Sequence, residues 1–270
     1  MRAAAVQMTS GTDVERNFAE ARRWIEQARR EESANLVVLP ENFAFMGADD
    51  AARLAAAEAA GDGPAQAFLA EAARDVGVWL VGGTIPVRDG QQSARSRCLV
   101  FAPDGRLAAH YDKIHLFDVD VPGQAGESYR ESATTVAGSE PAVIDTPFGR
   151  VGLAVCYDLR FPALFHRLGV LGMDALAVPA AFTVPTGGAH WQPLLQARAI
   201  ESLVYVVASA QWGEHAGGRR TYGHSMILGP WGHVLAVRES GPGIVAADLD
   251  MIELSEIRET FPALKHRREL

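Results

Sequence analysis

A carboxylate, an ammonium group and a thiol each stand just behind a short apolar run of this 270-residue chain. Glu41 follows Leu36 to Leu39, Lys113 lies beyond Leu107 to Tyr111, and Cys156 ends the run from Val151 to Val155. Short apolar runs bounded by turn residues read as buried strands. The three groups therefore share one address, the ends of core strands, and it is outside the carboxyl ends of strands that open α/β sheets gather their sites. The chemistry such a trio supports is acyl transfer. The carboxylate takes the thiol proton as general base, the thiolate attacks a carbonyl, and the ammonium stabilises the negative charge that develops. Each residue also has a plainer reading. Cys156 can be a packed core thiol, since cysteine is among the most buried residue types. Glu41 can be a solvated loop charge or sit at a helix N-terminus, and Lys113 can be an exposed lysine at a strand end.

The segment from Gly152 to Pro162 shows how such a nucleophile would be presented. Its apolar run breaks at Cys156, and Pro162 suits the first turn of a following helix. Cys156 then sits on a sharp strand-to-helix turn, where nearby backbone N–H groups have no partner and can hold an oxyanion.

The remaining elements alternate. Ala3 to Met8 reads as a strand, and Val14, Phe18, Ala21, Ile25 and Ala28 recur at helical spacing. Residues Ala51 to Ala73 break at Gly61, Gly63 and Pro64 into two short helices, and Val78 to Ile85 reads as a single strand. Cys98–Phe101 with Leu107–Tyr111, Ala142–Thr146 with Val151–Val155, and Ser225–Leu228 with His233–Val237 flank turn residues and predict three hairpins. Gly123 to Gly138 reads as a polar loop carrying Glu127 and Glu131, and loops of this length are often functional. Strand Ala175–Val178, helix His190–Ser202, strand Tyr205–Ala208, strand Ile244–Asp248 and a charged helix from Met251 complete the chain. The hairpins exclude a purely parallel arrangement. The expected architecture is one α/β domain over residues 1–270, with two mixed β-sheets and outer helices.

Composition narrows the function. Hydrophobic residues make up 48% and charged residues 21%, as in globular proteins, and a formal net charge of −8 argues against nucleic acid as a partner. No segment has the apolar length of a membrane span, and the N-terminus lacks a secretory pattern, so a cytoplasmic location is expected. The two cysteines form no CxxC pair and no zinc-type spacing. His115, Asp118 and Asp120 offer too few donors for a metal.

Beyond these patterns, LVVLPENF around Glu41, YDKIHLFD around Lys113 and GLAVCYDLRFP around Cys156 resemble, in order and wording, the three signature segments of the nitrilase superfamily of carbon–nitrogen hydrolases. The resemblance covers essentially the whole chain. It implies a four-layer αββα sandwich that dimerises through helices, and a Glu-Lys-Cys triad at Glu41, Lys113 and Cys156. The family's second glutamate best matches Glu131, with Glu127 as the rival. The oxyanion would be held by Lys113 and the backbone N–H of Tyr157, the acyl-enzyme would be a thioester, and neither metal nor organic cofactor would be needed. Arg160, Phe182, Thr183 and His190 are the expected substrate-binding residues, although Arg160 can equally form a structural pair with an acid.

DVPGQ, AHWQPLLQARAIES, TYGHSMILGPWG and HRREL look most like the deaminated glutathione amidase branch, followed by the omega-amidase branch. That resemblance implies a small amide of a 2-oxo acid as substrate. A nitrile or N-carbamoyl hydrolase would use the same triad. A Cys-His hydrolase pairing Cys156 with His190 or His224 lacks its usual local wording. A non-enzymatic scaffold of the same fold would be marked by loss of a triad residue, and all three are present.

Overall fold

Strand residues that are apolar on both sides need cover on both sides, and the chain supplies it with a second sheet and with helices. The structure, a computed structural model, describes residues 1–121 and 128–268. Its first half contains β1 (Arg2–Gln7), β2 (Leu36–Val38), β3 (Trp79–Val81), β4 (Ile85–Arg88), β5 (Ala94–Phe101), β6 (Leu107–Asp112), β7 (Asp118–Asp120) and β8 (Ser128–Arg130). There follow β9 (Val143–Thr146), β10 (Gly149–Leu153), β11 (Ala175–Ala180), β12 (Tyr205–Ala210), β13 (Trp212–Glu214) and β14 (Arg220–Tyr222). The last strands are β15 (Ser225–Leu228), β16 (Val234–Arg238) and β17 (Gly243–Asp248). The helices are α1 (Val14–Glu32), α2 (Asp50–Ala55), α3 (Pro64–Val76), α4 (Pro162–Val170), α5 (Val184–Ser202) and α6 (Met251–Thr260).

One sheet runs β17-β1-β2-β3-β5-β4, with β6 also on β5, and the other runs β16-β15-β12-β11-β10-β9. Each has a parallel centre, β1-β2-β3 in the first and β10-β11-β12 in the second, flanked by antiparallel partners. Side chains alternate across the first sheet. Ala3, Ala5, Leu36 and Val38 face the second sheet and share a core with Leu153, Leu176, Val178 and Val206. Ala4, Val6, Val37 and Leu39 point the other way, onto Phe18 and Ile25 of α1 and Phe68 and Leu69 of α3. On the far side of the second sheet, Leu164 and Phe165 of α4 and Trp191 and Leu195 of α5 close the core. Each large apolar side chain so buried contributes about 1.5–3 kcal/mol. The result is the αββα sandwich.

All three expected hairpins form. The single strand expected over Val78–Ile85 is instead two, β3 and β4, both laid along β5. The break falls at Gly83, whose φ is +59° and where a Cβ would stand 2.0 Å from the Pro40 carbonyl oxygen. Only glycine permits both the left-handed turn and that approach. Helix α5 begins at Val184, six residues before the expected His190, because Pro185 fits its first turn. The pair Gly187 and Gly188 hides the helical pattern there. The expected loop Gly123–Gly138 holds β8 and a short 3₁₀ turn, Glu131–Ala133, and Glu127 lies outside the described residues. The β13–β14 hairpin has no counterpart in the sequence reading. Among the described residues, no helix is long and apolar enough to cross a membrane.

Candidate active site

Glu41 stands two residues past the last pairing of β2. The amide of Leu39 still bonds the Val81 carbonyl at 2.9 Å, after which the chain turns, with Asn42 left-handed (φ +58°) and its N–H on Thr84 Oγ1 at 3.0 Å. The Glu41 carbonyl is propped by Gln211 Nε2 at 3.0 Å, from a fully buried glutamine at the end of β12. Its carboxylate is thus fixed in the interior, only 4% exposed.

Lys113 follows β6 and is as deeply buried. Its Nζ donates to Glu41 Oε1 at 2.8 Å and to Glu131 Oε2 at 3.0 Å. Burial alone would lower the lysine pKa, but the charges of Glu131 and Glu41 outweigh it and hold the ammonium above its ordinary value. Glu131 also accepts the Phe117 N–H at 2.8 Å. Burial raises its pKa, and Lys113 with Arg53, whose guanidinium is 4.0 Å away, more than reverses this, leaving the carboxyl below its usual range.

Cys156 opens a 3₁₀ turn, Cys156–Arg160, and is left-handed with φ +47°, a strained backbone for a residue with a Cβ. Asp158, with no exposed surface, holds the turn. It accepts the Val155 N–H at 2.8 Å, Tyr111 OH at 2.7 Å, the His115 N–H at 3.0 Å and His115 Nδ1 at 2.7 Å. From α5, Arg198 donates to the Leu159 carbonyl through Nε at 3.1 Å and NH2 at 2.7 Å, while its ion pair to Glu201 at 2.8 Å keeps it aimed. Burial, and then the Glu41 charge, push the Cys156 thiol pKa up; Lys113 and the Ala181 backbone bond pull the other way without reversing it. Burial therefore favours the thiol form of Cys156, and Glu41 beside it is placed to take the proton as attack begins.

Asp158 was missed in the sequence because a buried aspartate in a turn looks like any loop acid. Its importance is testable. Asp158→Asn turns one acceptor oxygen into a donor facing other donors, at about 1–3 kcal/mol for each bond lost. The variant is expected to lose about 2–4 kcal/mol by denaturant titration, and at least tenfold in kcat as the turn relaxes. Wild-type values for both would show that Asp158 does not hold the nucleophile.

The site lies in a cavity of about 730 Å³ whose wall includes Glu41, Lys113, Glu131, Cys156, Tyr157, Arg160 and Phe182. Arg160 NH1 is 3.2 Å from His190 Nδ1, and its guanidinium lies 5.7 Å and 5.5 Å from the ring centroids of Tyr157 and Phe182. Among the described residues its partners are these rings and an imidazole, not the acid the sequence allowed for. Thr183 is buried beneath the wall, bonded to Thr186 Oγ1 at 2.9 Å, and His190 is exposed behind Arg160. Neither belongs to the lining, whereas Thr186 does. His224 stacks on Tyr222 with ring centroids 4.0 Å apart, and it too is not part of the lining. His115 is committed to Asp158, Asp118 accepts the Ser132 N–H at 3.0 Å, and Asp120 pairs with Arg130 at 2.9 Å.

A buried thiol beside a carboxylate, with an ammonium shared between two carboxylates, is equipped for nucleophilic attack on a carbonyl without a histidine. The carbon-nitrogen hydrolase family pattern matches residues 2–259. Similar proteins include the deaminated glutathione amidase of Synechocystis sp., 44% identical over 268 residues, which make up 98% of this chain and 97% of that one. The deaminated glutathione amidase of Yersinia enterocolitica is 41% identical over 267 residues, 98% of this chain and 92% of that one. The crystal structure of Saccharomyces cerevisiae Nit3, described as a member of branch 10 of the nitrilase superfamily, superposes with a TM-score of 0.89 at 31% identity, covering 100% of this chain and 97% of that one. With the pattern running along nearly its whole length and the sandwich shared, this chain belongs to the carbon–nitrogen hydrolase family of the nitrilase superfamily.

Proposed function

We propose that this protein hydrolyses the amide bond of deaminated glutathione, releasing 2-oxoglutarate and cysteinylglycine, with Glu41, Lys113 and Cys156 as the reacting groups. The observation that carries the reading is the buried array in which Lys113 joins Glu41 at 2.8 Å to Glu131 at 3.0 Å beside the Cys156 thiol. The relatives' activity supplies the substrate.

Glu41 takes the Cys156 proton as the sulfur bonds to the amide carbon. The carbonyl oxygen gains the electron pair and is held by Lys113 and the backbone N–H of Tyr157, each such donor contributing about 3 kcal/mol in comparable sites. The tetrahedral adduct collapses, its C–N bond breaks, and Glu41 returns the proton to the departing amine. A thioester remains. Water then gives one proton to Glu41 as its oxygen attacks the thioester carbon, and the C–S bond breaks to regenerate the thiol and free the carboxylic acid. Glu131 keeps Lys113 in place through both halves. Arg160, beside the nucleophile turn, suits the 2-oxo acid end of the substrate.

The test is release of 2-oxoglutarate from deaminated glutathione and from 2-oxoglutaramate, side by side, with Cys156→Ala as the blank. Preference for deaminated glutathione is expected. Preference for 2-oxoglutaramate would make the protein an omega-amidase, and release from neither would overturn the proposed substrate.

A further inference from the structure

We propose that Arg219 recognises a carboxylate on the departing group and thereby sets a preference for peptide-like amides over amides that release ammonia. This rests on the amidase reading above. Five arginines line the cavity: Arg53, Arg130, Arg160, Arg219 and Arg220. Arg130 is committed to Asp120 at 2.9 and 3.1 Å, Arg53 is paired with Asp50 at 3.5 Å and with Glu131 at 4.0 Å, and Arg220 is exposed. Among the described residues, Arg160, Arg219 and Arg220 have no carboxylate in ion-pair range; Arg220 is exposed to solvent, so Arg160 and Arg219 are the two less exposed cations of the wall available to a substrate.

Arg219 is held but not satisfied. Its NH2 donates to the Ala181 carbonyl at 3.0 Å and its guanidinium lies 5.0 Å from the centroid of the Tyr129 ring, while Nε is shielded from water without a hydrogen-bond partner. A guanidinium carries five N–H donors in a fixed fork that matches a carboxylate two bonds at a time. A carboxylate on that fork, after a small turn of the side chain, would engage the orphan donor.

The position of Arg219 fixes which end of the substrate it meets. Its anchor, the Ala181 carbonyl, belongs to a residue that lines the cavity together with Cys156. The turn that carries it closes over the residues that follow Glu41: Gly217 is left-handed with φ +73°, and a Cβ there would lie 3.0 Å from the Ala48 carbonyl oxygen. In the proposed mechanism Glu41 protonates the departing amine. Arg219, whose turn packs on the Ala48 end of the loop after Glu41, is therefore assigned to the departing side, and Arg160, on the turn after Cys156, to the acyl side. Cysteinylglycine departs with a terminal carboxylate, whereas 2-oxoglutaramate releases ammonia, which offers Arg219 nothing. A cavity of about 730 Å³ accommodates the longer molecule.

The experiment compares kcat/KM for deaminated glutathione, for its analogue ending in glycinamide and for 2-oxoglutaramate, in the wild type, Arg219→Lys and Arg219→Ala. The wild type is expected to favour the free acid over the glycinamide analogue by about 10- to 100-fold, mostly through KM. In Arg219→Ala that preference should vanish, and the ratio of deaminated glutathione to 2-oxoglutaramate should fall by the same factor; Arg219→Lys should restore part of each. Equal losses on all three substrates would mean that Arg219 only supports the wall and would overturn the proposal. So would a wild type indifferent to the terminal carboxylate, a result that needs no variant to fold. Absence of 2-oxoglutarate from every substrate would overturn the amidase reading itself, an outcome separable from the others because the wild type alone shows it.

Discussion

Cys156→Ala is expected to lose turnover by on the order of a millionfold, the scale seen when a nucleophile is removed from an enzyme of the covalent type. The fold should persist, since the side chain is small and the turn is tied by Asp158 and Arg198 rather than by sulfur. Removing the sulfur leaves Glu41 with no thiol proton to take and the amide carbon with no nucleophile able to form the acyl-enzyme. The measurement is single-turnover product release, together with intact-mass analysis after a rapid acid quench with deaminated glutathione. The wild type should show the mass of a 2-oxoglutaryl thioester and the variant none. Retained turnover in the variant would sink the covalent mechanism.

Lys113→Ala should be nearly as damaging, and in two ways at once. Loss of an oxyanion donor costs about 100- to 1,000-fold in kcat. Removing the cation also leaves Glu41 and Glu131 facing each other in the interior, and breaking a buried pair of this kind costs about 3–5 kcal/mol. In the wild type the Glu131 pKa is depressed, so its contribution to stability is present above its unfolded value of about 4.3 and is lost as pH falls through the lower folded value. Without Lys113, burial and the facing Glu41 carboxylate push the Glu131 pKa upward against the remaining pull of Arg53 and the Phe117 N–H. The variant should therefore gain stability as pH is lowered towards about 5, whereas Glu131 leaves the wild type unchanged over that range because its folded pKa lies below the unfolded value. Denaturant midpoints between pH 5 and 8, with kcat and KM at each, check this. A change confined to KM would make Lys113 a binding residue instead.

Glu41, Lys113 and Cys156 were legible because a polar residue just behind a buried apolar run is hard to explain by packing alone. Glu131 was the sequence's preferred second glutamate over Glu127, and its contact with Lys113 at 3.0 Å is what separates it from an ordinary loop acid. Asp158 was not legible: its role depends on Tyr111 and His115, which are distant in sequence and adjacent only after both sheets assemble. Arg53 and Arg219 were missed for the same reason, since an arginine in a helix or a glycine-rich turn carries no sign of which cavity it borders. In the fold, alternation across strands and turn residues between them revealed the hairpins. The bend at Gly83 escaped because its cause, the Pro40 carbonyl, comes from another strand.

The pairing of β1 with β17 brings Arg2 opposite Asp248 and Gln7 opposite Gly243, and the terminal ammonium of Met1 donates to the Leu249 carbonyl at 3.0 Å. The first strand of the sandwich in chain order is therefore completed by the last. At about 5–20 residues per second, one edge of the Ala3–Val6 run waits roughly ten to fifty seconds for its partner during synthesis. A chain terminated before Gly243 would display that edge permanently, an unpaired apolar strand of the kind that seeds aggregation.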